Sequence, residues 1–196
     1  LNSRGWGEVC VVAGFLLVVA GADMVQRGVP HALPWLAGLP YALLTANILF
    51  INQFPDREAD QRAGKRHWVV RLPLEQAVRI YALIALAAGA ALWALVALRV
   101  LPVLALVSFA GFVPVVMAWR TLKAKSSQPG QLAPAIKATI LAAHLHAILL
   151  AAALLFHFQI ENLFVGFTLP CYSTVCGSPS RSFQSGKGSY CLARIA

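Results

Sequence analysis

Five apolar runs, at residues 8–24, 31–54, 74–98, 101–119 and 136–158, constrain this chain more than any other feature. A bilayer hydrocarbon core of about 30 Å needs roughly 20 helical residues, with a range of about 17 to 25, and each run fits that length. The runs are rich in Ala, Leu, Val and Gly and show no two-residue alternation. Backbone groups in lipid must be satisfied internally, so only helices and closed barrels can span, and the absent alternation excludes a barrel. Charge agrees: 12% of the residues are charged, against about 25% in soluble domains. The sequence therefore predicts an all-α, polytopic membrane bundle of five spans set in a lipid bilayer.

The net charge of +9 is mostly topology. Arg57, Arg62, Lys65, Arg66 and Arg71 lie between spans two and three, and Arg120, Lys123, Lys125 and Lys137 lie around the connection of spans four and five. Two helices separate these connections, so they share a face, and their Lys/Arg excess predicts that this face is cytoplasmic. The outer connections carry one Arg each, Arg27 and Arg99. No aromatic residues interleave with the basic ones as in a nucleic-acid surface, so no nucleic-acid partner is expected. The same count places the C-terminal tail on the opposite side.

Residues 1–158 form the predicted membrane domain. Residue 1 is Leu, without the charged start and cleavage site of a secretory signal, so span one is expected to be retained and an N-terminal portion to be missing. The tail, residues 159–196, turns abruptly to Ser, Gly and Cys and is expected to be irregular. Its Cys171, Cys176 and Cys191 match no zinc spacing. Cys10, inside span one, is expected to be a small packing residue.

The chemistry concentrates in one stretch, NILFINQFPDREADQRAGKRHWVVR, residues 47–71. Three of the seven acidic residues of the chain, Asp56, Glu58 and Asp60, fall within five positions there. Asn52, Asp56 and Asp60 are four apart, so on a continuous helix they share a face at successive turns, with Thr45 deeper on roughly the same stripe. Two carboxylates a turn apart repel each other, and a helix C-terminus disfavours both. A hard cation relieves that cost: Mg²⁺ takes one or two carboxylates and fills its remaining positions with water and phosphate oxygens. Arg62, Lys65 and Arg66 follow and suit non-bridging phosphate oxygens. Gly64 allows a turn, and Pro55 removes the bond to the Ile51 carbonyl and should kink the helix. Asp56, Asp60 and Asn52 are thus the candidate metal set, and Lys65, Arg66 and Arg62 the candidate diphosphate set.

The run NQFPDREADQRAGKR, continuing through Val69–Leu72 as VVRL, resembles the second aspartate-rich motif of the UbiA-type intramembrane prenyltransferases, most like the branch that prenylates 1,4-dihydroxy-2-naphthoate. Arg4-Gly-Trp-Gly-Glu8 resembles the start of that family's fifth helix, and the five spans resemble helices five to nine of its nine-helix fold. The resemblance implies transfer of a polyprenyl group from a polyprenyl diphosphate to an aromatic acceptor in quinone biosynthesis. It also implies a Mg²⁺ cofactor and catalytic roles for Asp56 and Asp60. The family's first acidic motif, of the NDxxDxxxD type, does not occur in residues 1–196. The chain by itself is therefore expected to be inactive, needing an N-terminal half; the competing reading is a non-catalytic membrane module. His67-Trp68 stands where family members often read Thr-Leu.

Other polar residues in the spans read more simply. His144 and His146, two apart, face nearly opposite sides of span five and cannot share an ion; a histidine bonded to a neighbouring helix is expected. Asp23 and Arg27, four apart, suit an interfacial ion pair. Trp93, deep in span three, is expected to pack.

Overall fold

The computed structural model describes residues 5–168, with side chains as far as residue 163. The chain divides into two units, Leu1–Gln159 and Ile160–Ala196. The bundle and the site described below belong to the first. In the second, the backbone is helical as far as Thr168, and the tail cysteines lie outside the described residues.

Five helices are long and apolar enough to cross a membrane, and no strand occurs among the described residues. They are α1 (Gly7–Arg27), α2 (Ala32–Asn52), α5 (Leu74–Ala97), the pair formed by a 3₁₀ segment (Val103–Phe112) and α6 (Val113–Lys125), and α7 (Ala133–Thr168). Between α2 and α5 lie two short helices, α3 (Arg57–Arg62) and α4 (Trp68–Arg71). The last span runs beyond the expected end at residue 158.

Helix packing explains which faces are buried. Phe50, Phe54, Tyr81, Leu122 and Leu132 centre one core, and Leu92, Leu95, Leu101 and Leu150 a second. Polar groups bridge the helices where no water competes. Asn47 donates to the Tyr81 carbonyl at 3.1 Å, and the Tyr81 hydroxyl meets Thr139 Oγ1 at 2.7 Å, tying α2 to α5 and α5 to α7. Such bonds contribute about 0.6 kcal/mol each on average in a membrane. The expected Asp23–Arg27 pair forms at 2.7 Å. Cys10 and Trp93, expected to pack, are instead exposed, because their positions on α1 and α5 face away from the cores.

The fourth span departs from the α-helix expected over 101–119: its first ten residues are 3₁₀. Pro114 has no N–H for the Ala110 carbonyl, which accepts from Val113 instead. The segment also lies close against α7. A Cβ added to Gly111 would stand 2.6 Å from the backbone nitrogen of His146, while the His146 ring, as expected, bonds a neighbouring helix, through Nδ1 to the Ser108 carbonyl at 3.2 Å. His144 is exposed and bonds Ile140 O on its own helix.

This close approach makes a testable asymmetry. Gly111→Ala should lower unfolding stability in detergent by about 1–3 kcal/mol through overpacking. Gly14→Ala, where a Cβ meets nothing within 4 Å, should be neutral or slightly stabilising. Equal midpoints for the two variants would contradict the packing.

Candidate metal and diphosphate site

The loop begins where α2 stops. Pro55 offers no N–H to Ile51, whose carbonyl accepts instead from Phe54 at 3.2 Å, and residues 53–56 form a turn before α3 starts. The continuous stripe through Asn52, Asp56 and Asp60 is therefore broken: Asn52 is the last residue of α2, exposed, and Asp56 precedes α3. Half of the spacing survives. Asp60 N–H bonds the Asp56 carbonyl at 2.8 Å, so the two acidic residues remain one helical turn apart, with Cβ atoms roughly 5–6 Å from each other. Asp56 now stands at the start of a helical turn, where the backbone dipoles favour negative charge, and not at a C-terminus as expected from sequence.

Asp60 is the centre of the polar loop. Lys65 Nζ donates to its Oδ1 at 2.6 Å and His67 Nε2 bonds its Oδ2 at 2.9 Å. The Lys65 hydrogen bond, then that of His67, holds the Asp60 carboxyl below its ordinary value against the opposing effect of burial. Gly64, at φ +73°, turns the chain so that Lys65 can reach back. The Asp56 carboxylate is exposed and makes no capping bond.

Beside this pair lies a polar cavity of about 800 Å³ whose wall includes Lys65, Arg66 and Arg71. Lys65 and Arg66 are the diphosphate candidates of the sequence; Arg71 joins them here, although by sequence it reads only as a topological charge. Arg62 does not line the cavity. It is exposed at the end of α3 and donates to the Glu58 carbonyl at 3.3 Å.

Several residues hold the loop that spacing alone did not single out. Arg57 donates to the carbonyls of Val69 at 2.9 Å and Leu72 at 3.3 Å, stapling α3 to α4. Trp68 Nε1 donates to Gly5 O at 2.7 Å, and Gln53 Nε2 donates to the buried Glu8 carboxylate at 2.6 Å. The start of α1 thus touches the loop near both of its ends. The signal for Glu8 was its place in the Arg4–Glu8 run; His67 showed only as a departure from a motif.

No group of three or more His, Cys, Asp and Glu side chains arranged to hold a metal occurs among the described residues. The donors present are nonetheless hard oxygens: an exposed carboxylate at Asp56, and a carboxylate at Asp60 with one oxygen held only by a half-exposed lysine. That set fits a hard divalent cation that keeps water and phosphate in its remaining positions.

The family model for the UbiA prenyltransferase family matches residues 1–140. The chain belongs to that family. The match covers most of the first unit, including α1, α2, the acidic-basic loop, α5 and α6. No curated protein and no solved structure matches the chain. With five spans and this membership, it is an integral membrane protein of the prenyltransferase type.

The lowered Asp60 value gives a signed pH expectation. A carboxyl lowered on folding adds stability above its ordinary range, and that stability is lost as pH falls through the lowered value. Loop order, read by the accessibility of Trp68 to a fluorescence quencher, should therefore hold from neutral pH through the ordinary carboxylate range and fail only below it. Asp60→Asn should be loosened already at neutral pH. A wild-type transition at or above the ordinary carboxylate range would contradict the bonds described.

Proposed function

We propose that the loop is one diphosphate clamp of a Mg²⁺-dependent transfer of a polyprenyl group from its diphosphate to an aromatic acceptor of the dihydroxynaphthoate type, in quinone biosynthesis. The observation that carries the reading is the juxtaposition of Asp60, one turn from Asp56, with a cavity walled by Lys65, Arg66 and Arg71. Family membership supports the prenyl-transfer class; the acceptor rests on the likeness of NQFPDREADQRAGKR and VVRL to the naphthoate branch. The Lys/Arg excess around the loop supports a cytoplasmic face, and the bacterial plasma membrane is the setting that the naphthoate likeness implies.

In this reading Asp56 and Asp60 hold the metal, and Asn52, on the far side of the break at Pro55, would have to approach from the end of α2. Bound there, Mg²⁺ supplies charge to offset that building on the departing diphosphate. Lys65 and Arg66 act on the same charge from the cavity wall, and Arg71 lies beside them. Positive groups aimed at the charge that develops on the departing diphosphate favour ionisation over resting substrate. Arg62, bonded to Glu58, would have to leave its own helix to join them. Ionisation breaks the allylic C–O bond, its electron pair leaving with the diphosphate; the electron-rich ring then attacks the allylic cation and gives its ring proton to a base such as the released diphosphate. Apolar helices shield the cation from water and hold the prenyl tail. The apolar cavity of about 670 Å³ between α5 and the fourth span, with Trp93, Phe112 and Trp119 in its wall, shares no residue with the loop cavity. It offers surface suited to a chain and not to a diphosphate.

The family's chemistry uses two acidic motifs, and one lies in residues 1–196. We therefore read this chain as supplying one side of the site, with turnover requiring a complementary acidic segment. The alternative, a non-catalytic membrane module, predicts no metal-dependent diphosphate binding.

Equilibrium binding to the reconstituted chain separates the two. Mg²⁺ should raise affinity for an isoprenoid diphosphate. Asp56→Asn and Asp60→Asn should each remove most of that gain, at least about tenfold, by deleting a charged ligand, while membrane insertion is kept. Affinity indifferent to magnesium in the wild type would favour the module.

A further inference from the structure

The two partners of Asp60 differ in a way that bears on how a metal reaches it. His67 is wholly buried, and its Nδ1 is enclosed with no hydrogen-bond partner among the described residues. Its ring has no open side toward which to swing, so its hold on Oδ2 is fixed. The Lys65 side chain is 44% exposed, which leaves its ammonium free to move. Its base is anchored, because Lys65 N–H bonds the Asp60 carbonyl at 3.0 Å. The four-carbon stem beyond carries three rotatable donors, and the same side chain lines the cavity shared with Arg66 and Arg71.

We propose that Lys65 is an exchangeable counter-ion: it occupies the Asp60 oxygen that a divalent cation would take, and on metal entry it moves to an anion in the adjoining cavity. His67 is the positioning residue that keeps the carboxylate in place during the exchange. The inference rests on the reading of Asp56 and Asp60 as metal ligands. Its physical basis is charge conservation at one site. While Lys65 neutralises Asp60, a metal ion meets a carboxylate already paired, and an anion meets an ammonium already engaged. Once either ligand binds, it releases the partner that the other needs, so each raises the affinity of the other by the same factor.

The test reads binding to the full reconstituted chain, with Mn²⁺ alone and inorganic diphosphate alone as probes. Lys65→Gln removes the competing ammonium. It should tighten Mn²⁺ binding by about twofold to fivefold, the range that a partly exposed ion pair commands, and should weaken diphosphate binding. Lys65→Arg keeps the cation and should retain the wild-type Mn²⁺ affinity, which separates lost charge from general damage to the loop. A lysine with a purely structural role predicts the opposite sign for Mn²⁺, weaker binding in Lys65→Gln as the loop loosens, and that result overturns the proposal. So does an unchanged Mn²⁺ affinity. If the wild type binds Mn²⁺ and diphosphate but Lys65→Gln fails to tighten Mn²⁺, only the exchange falls; if the wild type binds neither, the metal-diphosphate reading falls with it.

Discussion

One missing hydrogen-bond donor organises the polar end of this bundle. Inside a bilayer every backbone group must be satisfied within its own helix, and a helix that loses a donor ends or bends. Pro55 is that loss for α2, and Ile51 takes the Phe54 N–H in its place. The break releases residues 53–56 from the helical path and lets α3 and α4 fold back. Beyond the break, the turn at Gly64 brings Lys65 and His67 back to Asp60. An α2 running straight on would set Asp60 about two turns beyond Asn52 along its axis.

The turned segment is held from outside as well as from within. Arg57, one more member of a basic loop by sequence, spends its donors on two backbone carbonyls. Gln53 and Trp68 fasten the loop to the start of α1. A site that binds a highly charged ligand benefits from such supports, since its donors then need little ordering at the moment of binding.

The spans were legible because lipid enforces them: length and unbroken apolarity fix five helices, and their bounds agree with the sequence to within a few residues except at the far ends of the fourth span, which runs to Lys125 and not residue 119, and of α7. The loop was legible as chemistry, but its geometry was not. Four-residue spacing placed Asn52, Asp56 and Asp60 on one face, whereas only the Asp56–Asp60 step survives, because periodicity carries no information across a break. Pro55 signalled the break but not its extent. The burial of His67 against Asp60 depends on folding between residues seven apart through an irregular turn, which no local pattern encodes. The 3₁₀ start of the fourth span left a partial signal in Pro102 and Pro114, yet its close approach to α7 is a tertiary matter.

The double attachment of α1 has a mechanical corollary. None of the most apolar stretch of α1 is buried inside the protein, yet the helix is braced by α2, where Gly38 meets Val19 and Leu16 and Phe15 lies edge-on to Tyr41. Glu8 and Gly5 grip the two shoulders of the loop. Both ends of the turn that carries the carboxylates are thereby pinned to a single brace, the α1–α2 pair.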